Sequence, residues 1–243
     1  MTTAIIQARL GSTRLPGKVL KDLNGKPLIY HIINRLKFCK NIDSILLATT
    51  TNPVDDKLVE WCKNNDVLCF RGDENNVLKR YYDAATEYKA DVIVRVTADD
   101  PFKDPKVIDS VIELLKSQSL DFAFNNCPPS FPEGLDTEVF TYKAIKQAFE
   151  ADTTDFEKEH VTQYFYHNPD KFKLGNFAYK ENISNLRLTV DTDQDFELAE
   201  KIYEKLSPEG QMFYLDDILS LFNKEPALQT INKGVKRSAM YAK

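Results

Sequence analysis

The 243-residue sequence has only four cysteines, Cys39, Cys62, Cys69 and Cys127, with no C-x-x-C pair and no histidine at zinc-ligand spacing. That pattern excludes the common zinc modules and the paired-thiol redox motif. No stretch has the make-up of a secretory signal peptide, so reduced thiols and a cytoplasmic location are expected. Apolar runs fall far short of the ~20 residues that cross a bilayer, and no membrane segment is expected. Nor is there a basic excess: 32 Lys and Arg stand against 37 Asp and Glu, a net charge of −5. That balance argues against a non-specific nucleic-acid binder. Repeats, low-complexity tracts and an interdomain linker are missing too.

What remains is ordinary for a globular chain, with 42% hydrophobic and 28% charged residues, and the length can bury a sizeable core. Apolar runs at 3–8, 44–49, 67–70 and 92–97 read as strands covered on both faces. Between them, 27–37, 53–65 and 76–89 carry helical spacing; Leu28, Ile29, Ile32, Ile33 and Leu36 share one face of the first. This alternation predicts an α/β domain with a mainly parallel sheet and right-handed crossovers. The proline-rich stretch 125–136 reads as a loop or lid. Beyond it, strands are expected at 137–142, 171–180 (antiparallel) and 186–191, with helices near 143–150, 157–167, 191–206 and 213–223. One domain is expected over 1–225, followed by a basic tail, 226–243.

The segment "ARLGSTRLPGKVL" (8–20) superficially resembles a nucleotide-binding P-loop. Five residues separate Gly11 from Gly17, Val19 follows Lys18 where a P-loop has Ser or Thr, and Pro16 lacks a backbone N–H. It is therefore not a P-loop. Its place after the first strand is nevertheless where open α/β folds hold ligands. Arg9, Arg14 and Lys18 would offset the roughly four negative charges of a triphosphate. A solvated loop with incidental charges is the plainer alternative.

Two acidic clusters end apolar runs: Asp99 and Asp100 in "VIVRVTADDPF", and Asp191 and Asp193 in "LRLTVDTDQDF". Magnesium takes one or two carboxylates plus phosphate oxygens, which such clusters supply. Asp99 and Asp191 are the expected ligands, with Asp193 a further candidate. Asp100 and Asp195 fit turn and helix-start roles.

Taken together, "IIQARLGSTRLPGKVL…NGKPLI", "RGDENNVLKRYYDAA", "VRVTADDPF", "GLDTEVF", "EHVT" and "LRLTVDT" resemble the spore-coat polysaccharide cytidylyltransferase-like family, from about residue 3 to 205. That family is related to the CMP-3-deoxy-manno-octulosonate and CMP-N-acylneuraminate synthetases. The resemblance implies a nucleotide-diphospho-sugar-transferase-type (Rossmann-like) domain, usually dimeric, that uses CTP and Mg2+ to make a CMP-sugar and pyrophosphate. It places Ala8, Arg9, Leu10, Gly11, Ser12, Arg14 and Lys18 in the phosphate-contacting loop, with Arg9, Arg14 and Lys18 catalytic. Asp99 and Asp191 match the metal carboxylates. Arg80 falls near a basic position used around the nucleotide or sugar, though a surface helix residue would read the same way. The region 125–180 corresponds to acceptor site and dimer interface, with Asp136, Glu138 and His160 as substrate contacts; sheet-edge charges for the first two, and capping or packing for His160, are the plainer alternatives. Ala98-Asp99-Asp100-Pro101 departs from the Gly-Asp-Glu-Pro of the octulosonate enzymes, so the metal Asp is kept while its neighbours differ.

A sugar acid is the expected acceptor. Another nucleotide, a phosphorylated or phosphonate acceptor, a glycosyltransferase of the same fold, and a non-catalytic nucleotide-binding protein remain as alternatives. His31 and His167 read as structural or helix-end residues. Tyr81, Tyr82, Tyr164, Phe165 and Tyr166 are expected to serve core or dimer packing.

Overall fold

The computed structural model describes residues 1–11 and 14–236. Strand and helix alternate through the first half. β1 (Thr2–Gln7) leads to a short hairpin of β2 (Asp22–Leu23) and β3 (Lys26–Pro27), then α1 (Leu28–Leu36) and β4 (Ser44–Thr50). Next come α2 (Asp56–Asn64), β5 (Leu68–Gly72), α3 (Val77–Glu87) and β6 (Val92–Thr97). The second half runs α4 (Pro105–Ser117), β7 (Phe122–Phe124), β8 (Glu138–Thr141), α5 (Tyr142–Phe149), α6 (Asp155–His160) and α7 (Gln163–His167). It ends with β9 (Leu174–Asn176), α8 (Asp193–Leu206) and α9 (Leu215–Lys224).

Seven strands form one sheet in the order β5-β4-β1-β6-β8-β7-β9. The first four are parallel, β8 runs antiparallel to β6 and β7, and β9 is parallel to β7. Because side chains alternate across a strand, neighbours such as Ile5 and Ile6 enter opposite cores. Ile6, Leu47 and Val94 pack with Leu28 and Ile32 of α1 and Ile108 and Val111 of α4. Ile5, Leu46 and Ile93 pack with Tyr81 and Ala84 of α3 and Ile145 of α5. Burial on both faces is why these strands read as continuous apolar runs.

Several elements differ from expectation. Helix α4 starts at the Asp104 N-cap, whose side chain accepts from the Lys106 N–H at 2.8 Å, with Pro105 in its first turn. The helix expected over 157–167 is broken: Val161 has φ 55°, which separates α6 from α7 and lets the Thr162 hydroxyl donate to Glu138 at 2.9 Å. The strand expected over 171–180 shrinks to the three residues of β9, parallel to β7. Residues 186–191 form no strand; they cross the carboxyl end of the sheet, with the Leu188 N–H on the Glu133 carbonyl at 2.7 Å and the Val190 N–H on the Asp99 carbonyl at 2.8 Å. The boundary expected after residue 225 does not match a break in packing. Leu228 lies in the core, and the buried Asn232 amide donates to the Arg187 carbonyl at 3.2 Å and the Asp195 carboxylate at 2.9 Å. The last part of the basic tail, 237–243, lies outside the described residues. Among the described residues no helix is long and apolar enough to cross a membrane.

Candidate active site

The loop after β1 is fastened at its base. The Leu10 N–H donates to the buried Asp55 carboxylate at 2.7 Å, and the Gly17 N–H to the Leu10 carbonyl at 3.3 Å. Gly17, at φ 69°, then turns the chain into a 3₁₀ turn at Lys18–Leu20. That left-handed conformation suits glycine, and it drives Lys18 inward. Ser12, expected among the phosphate contacts, lies outside the described residues.

Lys18 is buried, and its Nζ donates to three oxygens: Asp99 Oδ2 at 3.2 Å, Asp191 Oδ1 at 2.8 Å and the Val190 carbonyl at 2.7 Å. Burial alone would lower its pKa, but the two carboxylates outweigh that and raise it, so the ammonium stays charged. The Asp99 carboxyl is half-buried, which works to raise its pKa, yet Lys18 and its hydrogen bonds hold it below the usual value. Asp99 sits just beyond β6. Asp191 is delivered opposite it because the Val190 N–H bonds the Asp99 carbonyl.

Arg187 fixes this arrangement from behind. It contacts Glu133 at 2.8 Å, Asp195 at 2.8 Å and Asp191 Oδ2 at 3.0 Å, and all four side chains are nearly fully buried. Asp191 Oδ2 is thereby committed, and Oδ1 faces Lys18 and Arg14, whose guanidinium reaches it at 3.0 Å. Asp195 and Thr192 cap α8 reciprocally, the structural role expected of Asp195. Asp193, the further metal candidate, is exposed in the first turn of α8 and is not among the residues lining the cleft.

The cleft in front of these groups has a volume of about 860 Å³, ample for a nucleotide and a second small molecule. Ala8, Arg9, Arg14 and Arg80 line one part. Arg9 is half exposed, 3.9 Å from Glu74. Arg80 is buried rather than on the surface; it donates to the Asp73 carbonyl at 2.6 Å, and burial together with Arg9 depresses its pKa. Asp136, Glu138 and His160 also line the cleft. Glu138 is already engaged, by Arg95 at 2.6 Å, Thr162 at 2.9 Å and the Tyr166 hydroxyl at 3.1 Å. Buried Lys103 pairs with Asp100 at 2.9 Å and donates to the Asp136 carbonyl. The Asp136 carboxyl is pushed up to about 8, first by burial and further by Asp100, Glu138 and Glu133, against the pull of Lys103.

Arg95, Lys103, Glu133 and Arg187 were not among the expected site residues. For Lys103 a signal existed, an i,i+3 charge pair with Asp100. Tyr81, Tyr164 and Phe165 are core residues, Tyr82 packs against that core, and Tyr166 packs there too while its hydroxyl donates to Asn126 and Glu138. His31 is buried on the Leu23 carbonyl at 2.6 Å, a structural role.

The donor set suits a hard divalent cation. Two carboxylate oxygens converge on one cationic position, and among the described residues no cluster of three or more Asp, Glu, His or Cys could hold a metal alone. Magnesium normally makes up such a shortfall with water and phosphate oxygens.

A sheet whose strand ends carry a cationic loop, two facing carboxylates and a roomy cleft defines a phosphoryl-type transferase of nucleotidyltransferase architecture. The chain belongs to the cytidylyltransferase family: the model of that family, described as "Cytidylyltransferase", matches residues 3–218. Spore coat polysaccharide biosynthesis protein SpsF of Bacillus subtilis is 32% identical over 237 residues, covering 93% of this chain and 95% of SpsF. A cytidylyltransferase structure from Leptospira borgpetersenii serovar Hardjo-bovis aligns with a TM-score of 0.88 and 34% identity over 98% of both chains. A CMP:2-keto-3-deoxy-manno-octonic acid synthetase complexed with CTP shares the fold, with a TM-score of 0.64 and 16% identity over 84% of this chain and 98% of the other.

Proposed function

We propose that this cytidylyltransferase couples CTP to an oxygen of a sugar-acid acceptor with Mg2+ bound, giving a CMP-sugar and pyrophosphate for surface polysaccharide or glycan synthesis. The observation that carries the reading is the convergence of Asp99 Oδ2 and Asp191 Oδ1 on one cation at the foot of the cationic loop. In the reaction the acceptor hydroxyl gives up its proton to solvent as its oxygen bonds to the α-phosphorus, the bond to the β-phosphate bridge breaks, and pyrophosphate departs with the electron pair. Arg9 and Arg14, with their heads half exposed at the cleft, take up triphosphate charge, and Lys18 joins them when it leaves the carboxylates. Asp99 and Asp191 would hold magnesium, which supplies charge neutralisation at the phosphates when bound.

Ala8 and Gly11 bring backbone to the nucleotide, Leu10 fixes the loop through its bonds to Asp55 and Gly17, and Arg80 backs that wall. Asp136 and His160 face the acceptor, while Glu138 orients Arg95 and Tyr166 around it. No covalent intermediate is needed, because positioning and charge neutralisation supply most of the acceleration in such transfers. The resemblance to dimeric synthetases supports a homodimer, which light scattering tests. The reaction is tested by pyrophosphate release, with magnesium, from CTP, ATP, GTP and UTP against a panel of sugar acids and sugar phosphates. Release with CTP and one sugar acid is expected; CTP binding without release across the panel would reject the acceptor class, and no CTP binding would reject the reaction.

A further inference from the structure

The cationic loop assigns Lys18 to the triphosphate, yet its ammonium lies against the carboxylates. Its three acceptors, Asp99 Oδ2, Asp191 Oδ1 and the Val190 carbonyl, account for its three N–H bonds. Arg187 holds the other oxygen of Asp191 at 3.0 Å, so the Asp191 carboxylate cannot rotate to offer a second face. The oxygens that would hold a divalent cation are therefore the ones Lys18 occupies, Asp191 Oδ1 being shared with the half-exposed Arg14 at 3.0 Å.

We propose that Lys18 is the resident counter-ion of the metal site. In the free enzyme its ammonium holds Asp99 and Asp191 in register and keeps a divalent cation out. It gives up that place when a nucleotide triphosphate offers the ammonium another anion, so metal and nucleotide enter together. The inference rests on the reading of Asp99 and Asp191 as the metal carboxylates. Three physical facts support it. A buried and a half-buried carboxylate facing one position would repel each other with no cation between them. A divalent cation placed beside an ammonium at about 3 Å would be repelled even at an effective dielectric constant near 20. A lysine head on a flexible four-carbon stem can swing to a nearby phosphate, whereas the forked contacts of Arg187 cannot be exchanged so simply.

The test is a Mn2+ titration followed by electron paramagnetic resonance, without acceptor, on wild type and Lys18→Met. Without nucleotide, Lys18→Met should bind Mn2+ about 10²-fold more tightly than wild type. Its melting temperature should fall below wild type and be restored by Mn2+, which leaves the wild-type value unmoved. Equal nucleotide-free affinities in the two proteins would overturn the proposal. Should Lys18→Met not fold, wild type decides: saturable micromolar uptake of Mn2+ without nucleotide overturns the proposal, and uptake only with CTP supports it. Asp99→Asn with CTP checks the underlying reading separately. Loss of the enzyme-bound Mn2+ signal there, alongside equal affinities for wild type and Lys18→Met, removes only the role of Lys18; an unchanged signal removes Asp99 as a ligand and the proposal with it.

Discussion

Replacing Arg187 with Met tests whether the carboxylate cluster behind the cleft is held by this one guanidinium. Arg187 meets Glu133, Asp191 and Asp195 at 2.8, 3.0 and 2.8 Å, and each of these side chains is at most 6% exposed. Met fills similar volume but leaves three buried carboxylates without their cation. Asp195 keeps the Asn232 amide and the N–H groups of Asp191 and Thr192, and Asp191 keeps Lys18; Glu133 loses most. Removing one partner of a buried pair costs about 3–5 kcal/mol. For a chain of this size that is roughly 6–20 °C in melting temperature, since 1 kcal/mol moves Tm by about 2–4 °C. Calorimetry and denaturant titration at neutral pH measure it. Arg187 and its hydrogen bonds hold the Asp195 carboxyl below its usual range. A depressed pKa gives stability that is complete above the unfolded value, about 3.9, and is lost as pH falls through the folded one. Wild type should therefore lose this contribution below about pH 4, and Arg187→Met should show a flatter acid limb. A loss under about 1 kcal/mol, the scale of an exposed pair, with an unchanged acid limb would refute the clamp.

Asp99→Asn should lower turnover at least ~10²-fold with little change in Tm, because Lys18 keeps Asp191 and the Val190 carbonyl; an unchanged pyrophosphate-release rate would remove Asp99 from the mechanism. The Asp136 carboxyl, pushed up to about 8, favours folding below its unfolded value and loses that contribution as pH rises through 8. Wild-type stability should thus fall between about pH 4 and pH 8 relative to Asp136→Asn, and parallel pH profiles of unfolding free energy would contradict the burial argument. Gly134→Ala should destabilise by about 2–5 kcal/mol: Gly134 has φ +100°, and a Cβ there would sit 2.6 Å from the Leu188 carbonyl. Urea midpoints measure that loss.

The parallel strands were legible because burial on both faces leaves continuous apolar runs, as in Ile5-Ile6 and Leu46-Leu47. β7 was not, since three residues carry too little pattern. α4 carried every helix signal, with Asp104 at the N-cap, Pro105 after it and Val107, Ile108, Val111, Ile112 and Leu115 at helical spacing, yet no element is expected there in the reading above. The run 186–191 looked like a strand because Leu188 and Val190 alternate with polar residues. In the fold that alternation faces the core on one side and the site on the other, while the backbone pairs with loop carbonyls at Glu133 and Asp99 rather than with a sheet neighbour.

The same distinction separates the legible part of the site from the rest. Lys18, Asp99 and Asp191 stand out because each ends an apolar run or follows a glycine. Arg187, Glu133, Arg95 and Lys103 look like solvated charges, and only the tertiary fold shows that each is buried beside an opposite charge. Burying so many charges costs more desolvation than their pairing returns in stability, and apolar side chains would fill the same space. What the pairing does return is orientation. Glu138 is held by Arg95, Thr162 and Tyr166, and Arg187 on Asp191 Oδ2 leaves Asp191 Oδ1 turned, with Asp99 Oδ2, onto Lys18 at the cleft. Catalysis by positioning needs groups fixed before the substrate arrives, and a cleft whose carboxylates were merely solvated would have to organise them during each turnover.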